Sequence, residues 1–276
     1  MIEKIRIAVA GVGGRMGRKL IQAVKESKQV VLGAALARAA LRGIDAGELA
    51  GISAIGVPIS DSLTEVKDAF DILMDFTQQE ATMKNLEVCS NYNKGVIIGT
   101  TGLSDAQKAV IRASALHTGI VLAANFSVGG NLMFKLLEKV AQVLVWEKDI
   151  EIMEVHHRNK VDAPSGTALA MGEAIAGSLG RDIASCAVYG SELHTGSRKA
   201  KSIGLTAVRA GEIVGEHTAL FVDRGESIEI THKASSRITF AYGAISATLW
   251  LGREKIGLYD MLDVIGLENG KLVLGQ

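Results

Sequence analysis

The sequence has no excess charge of either sign: Lys plus Arg and Asp plus Glu each number 30 in 276 residues. Broad binding to nucleic acid or to an acidic membrane needs surplus positive charge, so neither is expected. A local basic cluster must then answer a local anion. Cysteine is nearly missing. Cys89 and Cys186 form no CxxC pair and suggest no disulfide framework, which fits a reducing, cytoplasmic compartment. No run of about 18 uninterrupted apolar residues occurs, so no spanning helix is expected. Met1 to Arg6 lead directly into a strand pattern without the apolar region of a signal peptide. Low-complexity tracts and internal repeats are missing as well. What remains is a chain 48% apolar, long enough for one large or two medium domains with a proper core.

The first half alternates short apolar runs with helical periodicity. Ile5, Ile7 and Val9 mark a strand, and Leu20, Ala23 and Val24 a helix. Val30 to Leu36, Phe70 to Phe76, Gly95 to Gly99 and Ile120 to Ala123 are read as the second to fifth strands. Ser104, with Gln107 three residues on, reads as a capping box. Such alternation predicts a parallel sheet covered on both faces, with ligands at the carboxyl ends of its strands. The loop after the first strand, Gly11-Val12-Gly13-Gly14-Arg15-Met16-Gly17, is best described as GxxGxxG. A glycine loop between a strand and a helix lets backbone approach a pyrophosphate at the helix N-terminus. Arg15 could add a charge contact. At the end of the second strand an acid would bind the ribose of NAD, whereas Arg suits a 2′-phosphate. Here Ala37 is followed by Arg38, which favours NADPH over NADH. Asp45 and Glu48 lie too far along to replace the acid. Phe76-Thr77, Gly99-Thr100-Thr101-Gly102 and Ala123-Ala124-Asn125-Phe126 end later strands and are read as a cofactor wall, although each could serve only as turn residues.

The second half has a different texture. A helix is expected over Asn131 to Val145, then strands over Asp149–His156, Ile203–Arg209, Ile213–Val222 and Ser227–Lys233. Gly211 and Asp223-Arg224-Gly225 look like hairpin connections. The fold class is therefore α/β: a Rossmann-type parallel-sheet domain plus a second α/β domain with a mixed or antiparallel sheet. A long helix through Trp250 and a last one over Leu258 to Val264 return to the first texture. The expected boundaries are 1–126 with 238–276 for dinucleotide binding, and 127–237 for substrate binding and oligomerisation.

The most informative stretch runs from Glu154 to Thr167 and holds His156, His157, Arg158 and Lys160 within five residues. Ile150 and Ile152 on one side, and Met153 and Val155 on the other, imply a strand covered on both faces. His156 and His157 then point to opposite sides. Ser165 and Thr167 are N-cap candidates for a helix ending at Gly180. Amides at Gly166 and Thr167 would favour a carboxylate or phosphate. Lys160 and the imidazoles offer charge and a proton near neutral pH. His157 reads equally as an orienting or a packed group, Arg158 as solvated, and Asp162 as a turn residue. No metal is expected, because adjacent histidines on a strand splay apart and no CxxC or HExxH spacing is present.

Together these motifs resemble the 4-hydroxy-tetrahydrodipicolinate reductase family of the diaminopimelate–lysine pathway, over essentially the whole chain. The likeness rests on the glycine loop, Asp75-Phe76-Thr77, Gly99-Thr100-Thr101-Gly102, Ala124 to Ser127, Glu154 to Thr167, Arg209 to His217 and His232 to Arg237. The resemblance implies a homotetramer. It also implies hydride transfer from NADPH or NADH to C4 of a cyclic dicarboxylate imine, with loss of water. Carried over, His156 is the general acid/base and Lys160 the proton donor. His157 and Ser165 contact substrate, while Gly166 and Thr167 hold a carboxylate. Gly11, Val12, Gly13, Gly14, Arg15, Met16, Arg38, Phe76, Thr77, Gly99, Thr100, Thr101, Ala123, Ala124, Asn125 and Phe126 line the cofactor. Departures are Ala37 in place of a frequent Glu, Gln79 in place of Pro, and Gly130 where Val is frequent. Another two-domain Rossmann dehydrogenase, or a non-catalytic dinucleotide sensor, would share the glycine loop without needing the His-His-Arg-x-Lys stretch.

A missing charge-assisted hydrogen bond at Ala37 costs on the order of 1.5–3 kcal/mol, roughly ten- to hundredfold in NADH affinity. Steady-state kinetics with each cofactor should show kcat/KM for NADPH exceeding that for NADH. Comparable values would count against this reading of Ala37 and Arg38.

Overall fold

A computed structural model describes residues 4–144, 148–190, 197–252 and 255–267. The chain splits into two compact units, Met1–Ser127 with Arg237–Gln276, and Val128–Ser236. The first unit begins β1 (Ile5–Ala10), α1 (Arg15–Glu26), β2 (Val30–Leu36), α2 (Ala46–Leu49), β3 (Ile59–Ser60), β4 (Ile72–Asp75), α3 (Gln79–Asn91), β5 (Gly95–Ile98), α4 (Asp105–Ser114) and β6 (Gly119–Leu122). The second unit holds α5 (Val128–Val143), β7 (Asp149–His156), α6 (Gly166–Ser178), α7 (Ile183–Cys186), β8 (Ala187–Tyr189), β9 (Ile203–Arg209), β10 (Gly215–Val222) and β11 (Ser227–Ala234). The chain then returns with α8 (Ile238–Leu251), β12 (Gly257–Tyr259) and α9 (Met261–Val264).

Seven strands of the first unit form a parallel sheet in the order β12-β6-β5-β4-β1-β2-β3. Alternation within β1 shows why its sequence is apolar throughout. Ile7 and Val9 enter a core shared with α1 and α8, whereas Ala8 and Ala10 enter a second core with Leu86 and Ile111 of α3 and α4. The sheet is thus covered on both faces, as continuous apolar strands require. Strand order reverses at β1, with β2 on one side and β4 on the other. That is the switch point where such sheets open a crevice. α4 begins with the expected capping box between Ser104 and Gln107.

The second sheet is mixed, in the order β11-β10-β7-β9-β8. β7 pairs parallel with β9 and antiparallel with β10. Met133, Phe134 and Leu137 of α5 and Ala168, Met171 and Ile175 of α6 pack on Ile152, Leu205, Ala219 and Phe221 of its inner face.

Several expectations need correction. The run Phe70 to Phe76 is the fourth strand, because the two-residue β3 precedes it, too short to leave an alternation signal. Leu258 to Val264 is not one helix. Gly257–Tyr259 pairs parallel with β6 as β12, and only Met261–Val264 is helical, started by an Asp260 capping box. Gly211 does not sit in a hairpin, since β9 and β10 are separated by β7. Asp223-Arg224-Gly225 does connect the antiparallel pair β10 and β11, with the Asp223 N–H donating to the Glu226 carbonyl at 2.9 Å. β8 was not expected. The helix expected from Asn131 starts earlier, at Val128, and Val145 lies outside the described residues. Met153 is 39% exposed and Val208 44% exposed, so their side of the second sheet is open in the single chain rather than covered.

α8 carries Gly243 against the chain leaving β6. A Cβ there would lie 1.7 Å from the Phe126 carbonyl oxygen. Gly243→Ala should therefore cost about 1–3 kcal/mol and lower the melting temperature by roughly 2–12 °C. An unchanged melting temperature would show that α8 can back away from Phe126.

Candidate active site

The glycine loop lies at the switch point and lines a cavity of about 740 Å³ at the carboxyl ends of β1, β2 and β4. Its backbone is tightly folded. Gly11 has φ +75°, and Gly14 N–H donates to the Gly11 carbonyl at 2.9 Å. A Cβ at Gly17 would lie 2.3 Å from that same carbonyl oxygen, so a side chain there would push α1 off the loop. Gly14 is the N-cap of α1 and provides no side-chain cap, and the first turn has no acidic residue. An uncapped, acid-free helix start facing a cavity fits a pyrophosphate, whose charge would replace the missing cap. The residues present therefore suit a dinucleotide.

Of the expected cofactor residues, Gly11, Gly13, Gly14, Arg38, Phe76 and Thr77 line this cavity. Others do not. Val12 is 1% exposed and belongs to the core, against which Met16 also packs. Arg15 is exposed at the start of α1, and Thr101 and Ala124 are exposed at their strand ends. Gly99 makes room for packing: a Cβ there would lie 2.1 Å from the Phe76 ring, which in turn stacks on Phe126 at 5.1 Å. Ala123 and Asn125 are buried, and Asn125 accepts the Ser127 N–H at 2.8 Å. The threonine hydroxyls also turn inward. Thr77 donates to buried Asp75 at 2.5 Å, and Thr100 shares a hydrogen bond with Thr82 at 2.7 Å.

Asp61 also lines the cavity and was missed in the sequence. Pairing of Leu36 with Ser60 brings it beside Ala37 and Arg38. Its carboxylate is held by Arg42 at 2.6 Å, which also pairs with Glu65 at 3.0 Å. Asp45 is excluded as a ribose ligand. It caps α2 and takes amides from Gly47, Glu48, Ile55 and Gly56.

In the second unit, sheet register assembles a polar cluster on the helix-covered face. His217 lies opposite Glu154, and Arg209 lies beside His156. Residues 154 and 156 share a face because side chains repeat every second position. Glu154 is 0% exposed, while His156 and His157 are 8% and 4% exposed. Glu154 Oε1 accepts the Ser165 N–H at 2.9 Å and Arg209 Nη2 at 2.8 Å, and its Oε2 meets His156 Nδ1. The His156 and His217 rings pack edge to face at 4.9 Å. His217 Nε2 reaches Ser165 Oγ at 3.2 Å. Ser165 alone caps α6, through the Ala168 N–H at 3.2 Å, so Thr167 is not a cap. Gly166 and Thr167 are the first two helical residues. Lys160 Nζ is held by the Asp162 carboxylate at 2.7 Å, which makes Asp162 an ion-pair partner and not only a turn residue. Arg158 is exposed. Arg209 and His217 entered the sequence reading only as the ends of one motif, with no role at the site. Only the parallel pairing of β7 with β9, and the antiparallel pairing with β10, brings them to the site.

The electrostatics follow from burial. Burial pushes the Glu154 carboxyl up, but His156, Arg209 and the Ser165 amide together outweigh it and hold it at about 2. Burial pushes His217 down to about 3, aided by nearby His156. Both groups titrate far from their ordinary values in one small space, a common mark of a functional site. Ligating atoms of Glu154, His156 and His217 come within 4.8 Å of one another, the one such group among the described residues. The Arg209 guanidinium already neutralises this carboxylate, so the cluster is a poor cation site.

A parallel sheet of this order, with a phosphate cradle at its switch point and a mixed-sheet unit inserted before the last helices, defines the class. It is a two-unit, dinucleotide-binding α/β protein. Residues 5–126 match the family model of dihydrodipicolinate reductase, N-terminus, and residues 129–265 match that of its C-terminus. The chain therefore belongs to the dihydrodipicolinate reductase family and is an NAD(P)H-dependent oxidoreductase, with its nicotinamide dinucleotide site in the N-terminal part. Among solved structures it is similar to a dipicolinate-bound dihydrodipicolinate reductase from Paenisporosarcina sp. TG-14. That match has 24% identity and a TM-score of 0.71, and covers 95% of this chain and 100% of the other. A probable dehydrogenase from Thermotoga maritima shares the fold at 11% identity and a TM-score of 0.62, over 94% and 92% of the two chains. So does an amine dehydrogenase from Mycobacterium smegmatis, at 13% identity and a TM-score of 0.60, over 95% and 96%.

His217 takes up its proton more readily in the unfolded chain, where its pKa is about 6.5, than in the folded one, where it is about 3. Its contribution to stability is complete above about 6.5 and is lost as pH falls toward 3. The slope approaches about 1.4 kcal/mol per pH unit inside that window. Glu154 adds a second loss between its ordinary 4.5 and about 2. Denaturant melts at pH 7, 6 and 5 should show His217→Asn with a shallower pH dependence than the native chain. Equal slopes would mean that His217 is not held neutral.

Proposed function

We propose that the protein reduces 4-hydroxy-tetrahydrodipicolinate to tetrahydrodipicolinate with loss of water, in the diaminopimelate route to lysine, preferring NADPH. One observation carries this reading. The end of β7 and the turn after it bring together a buried imidazole, the ammonium of Lys160 and the start of α6. A dicarboxylate needs anion-binding groups beside a proton donor, and this turn supplies both. The relative from Paenisporosarcina sp. TG-14 is dipicolinate-bound, and dipicolinate is itself a cyclic dicarboxylate.

In this reading the bound nicotinamide supplies hydride, and the chain's own residues do the rest. Gly166 and Thr167 hold one carboxylate at the positive end of α6. His157 contacts the substrate from the residue after β7. Ser165 supports the helix start instead of touching substrate, because its N–H and hydroxyl are both taken by Glu154, Ala168 and His217. Lys160 exchanges Asp162 for the substrate anion and donates a proton, with His156 as general acid/base. On the cofactor side, Arg38 faces the 2′-phosphate. Asp61, already neutralised by Arg42, does not replace the acid missing at Ala37.

The open face of the second sheet, with Met153 and Val208 exposed, supports association of subunits through that sheet as a homotetramer. No described helix is long and apolar enough to cross a membrane.

The test is oxidation of NADPH with substrate formed in situ from pyruvate and aspartate semialdehyde. No turnover would sink the assignment. Lys160→Ala should lower kcat on the order of 10²–10⁴-fold while raising KM far less. The opposite split would make Lys160 a binding residue only.

A further inference from the structure

Glu154 is committed to more partners than charge balance requires. Its Oε1 takes two donors, the Ser165 N–H and Arg209 Nη2, at 2.9 and 2.8 Å. Arg209 is itself pinned to the Asp162 carbonyl at 2.6 Å and the Val208 carbonyl at 2.8 Å. The carboxylate therefore cannot rotate, and its second oxygen is left aimed at one atom. That atom is His156 Nδ1. Apart from this contact, neither Glu154 Oε2 nor His156 Nδ1 has a hydrogen-bond partner.

We infer that Glu154 is a positioning residue, whose carboxylate keeps Nδ1 of His156 protonated so that Nε2 is the nitrogen that exchanges a proton with substrate. This rests on the reading of His156 as the acid–base group. An ionised carboxylate only accepts hydrogen bonds, so the imidazole must donate to it. The other ring nitrogen is then the only one that can act on a ligand. The ring is confined on its remaining sides. His217 packs edge to face against it at 4.9 Å, and a Cβ at Gly215 would come within 3.0 Å of Nε2. Glycine at 215 thus keeps the Nε2 side open.

The proton balance closes without moving a proton onto Glu154. Imidazolium donates from Nδ1 to the carboxylate and from Nε2 to substrate. When the Nε2–H bond breaks and the substrate–H bond forms, neutral imidazole remains in the Nδ1–H tautomer, still donating to Glu154. The same carboxylate holds the Ser165 amide at the start of α6 and, through Arg209, the turn that carries Asp162 and its Lys160 partner. One buried group thereby sets three elements of the proposed substrate site relative to one another.

A simpler role for Glu154 would be to neutralise Arg209. The two roles differ in the tautomer of His156 and in kcat. Long-range ¹H–¹⁵N correlation spectra of the full-length protein, with His156 assigned through His156→Gln, should show neutral His156 protonated at Nδ1. An Nε2–H tautomer in the native protein overturns the inference, whether or not any Glu154 variant folds. Glu154→Gln should lower kcat on the order of 10²-fold or more, with KM within about threefold, and Glu154→Asp should recover part of it. If His156→Gln is inactive and folded Glu154→Gln keeps kcat within about threefold of native, the role of Glu154 fails and the reading of His156 stands. If His156→Gln itself keeps kcat, that reading fails and the inference falls with it.

Discussion

A parallel strand cannot be followed at once by its neighbour, because a crossover must carry the chain back to the starting edge. This constraint places every carboxyl end of the first unit's sheet at one edge. The glycine loop, Arg38 and the Phe76–Thr77 turn meet there, although they are far apart in sequence. The second unit obeys the same rule for two pairs, β7 with β9 and β8 with β9. β7 and β9 run parallel, so His156 and Arg209 end side by side. β10 runs the other way and begins at that edge, which adds His217 opposite Glu154.

Burying the Glu154 carboxylate at that edge is tolerated because it has partners. A lone buried carboxylate costs several kcal/mol, and removing one member of a buried pair typically costs about 3–5 kcal/mol. Glu154 avoids this cost through Arg209, the Ser165 amide and His156. More exposed charges are paired as well, Lys160 with Asp162 and, in the first unit, Asp61 with Arg42. These sites thus hold their charges in local pairs. An anionic substrate would compete for a cation that is already in place and already oriented.

Residues that look ready to meet a ligand often turn out to hold the scaffold. The hydroxyls of Thr77 and Thr100 point at Asp75 and Thr82. Gly99 accommodates the Phe76 ring, and Val12 lies in the core. Their contacts fix backbone positions around the cavity.

The sequence by itself determined the class of fold, through continuous apolar strands alternating with helices. It also determined the cradle, because only glycine admits the backbone at Gly11 and Gly17. The stretch from Glu154 to Thr167 pointed to the site proposed here, because it sets four basic or imidazole groups beside a helix start in a chain of zero net charge. Short or irregular pieces were not legible. β3 and β12 have two and three residues, too few to show a period. The coverage of Met153 was misread because periodicity says which side chains share a face, not whether anything lies on it. Tertiary structure alone decided that Arg209 and His217 join Glu154 and His156, and that Asp61 enters the cavity beside Ala37. The reason is that register is a property of strand pairs. Which residues lie opposite one another depends on the order of strands in a sheet, and no local pattern along the chain encodes that order.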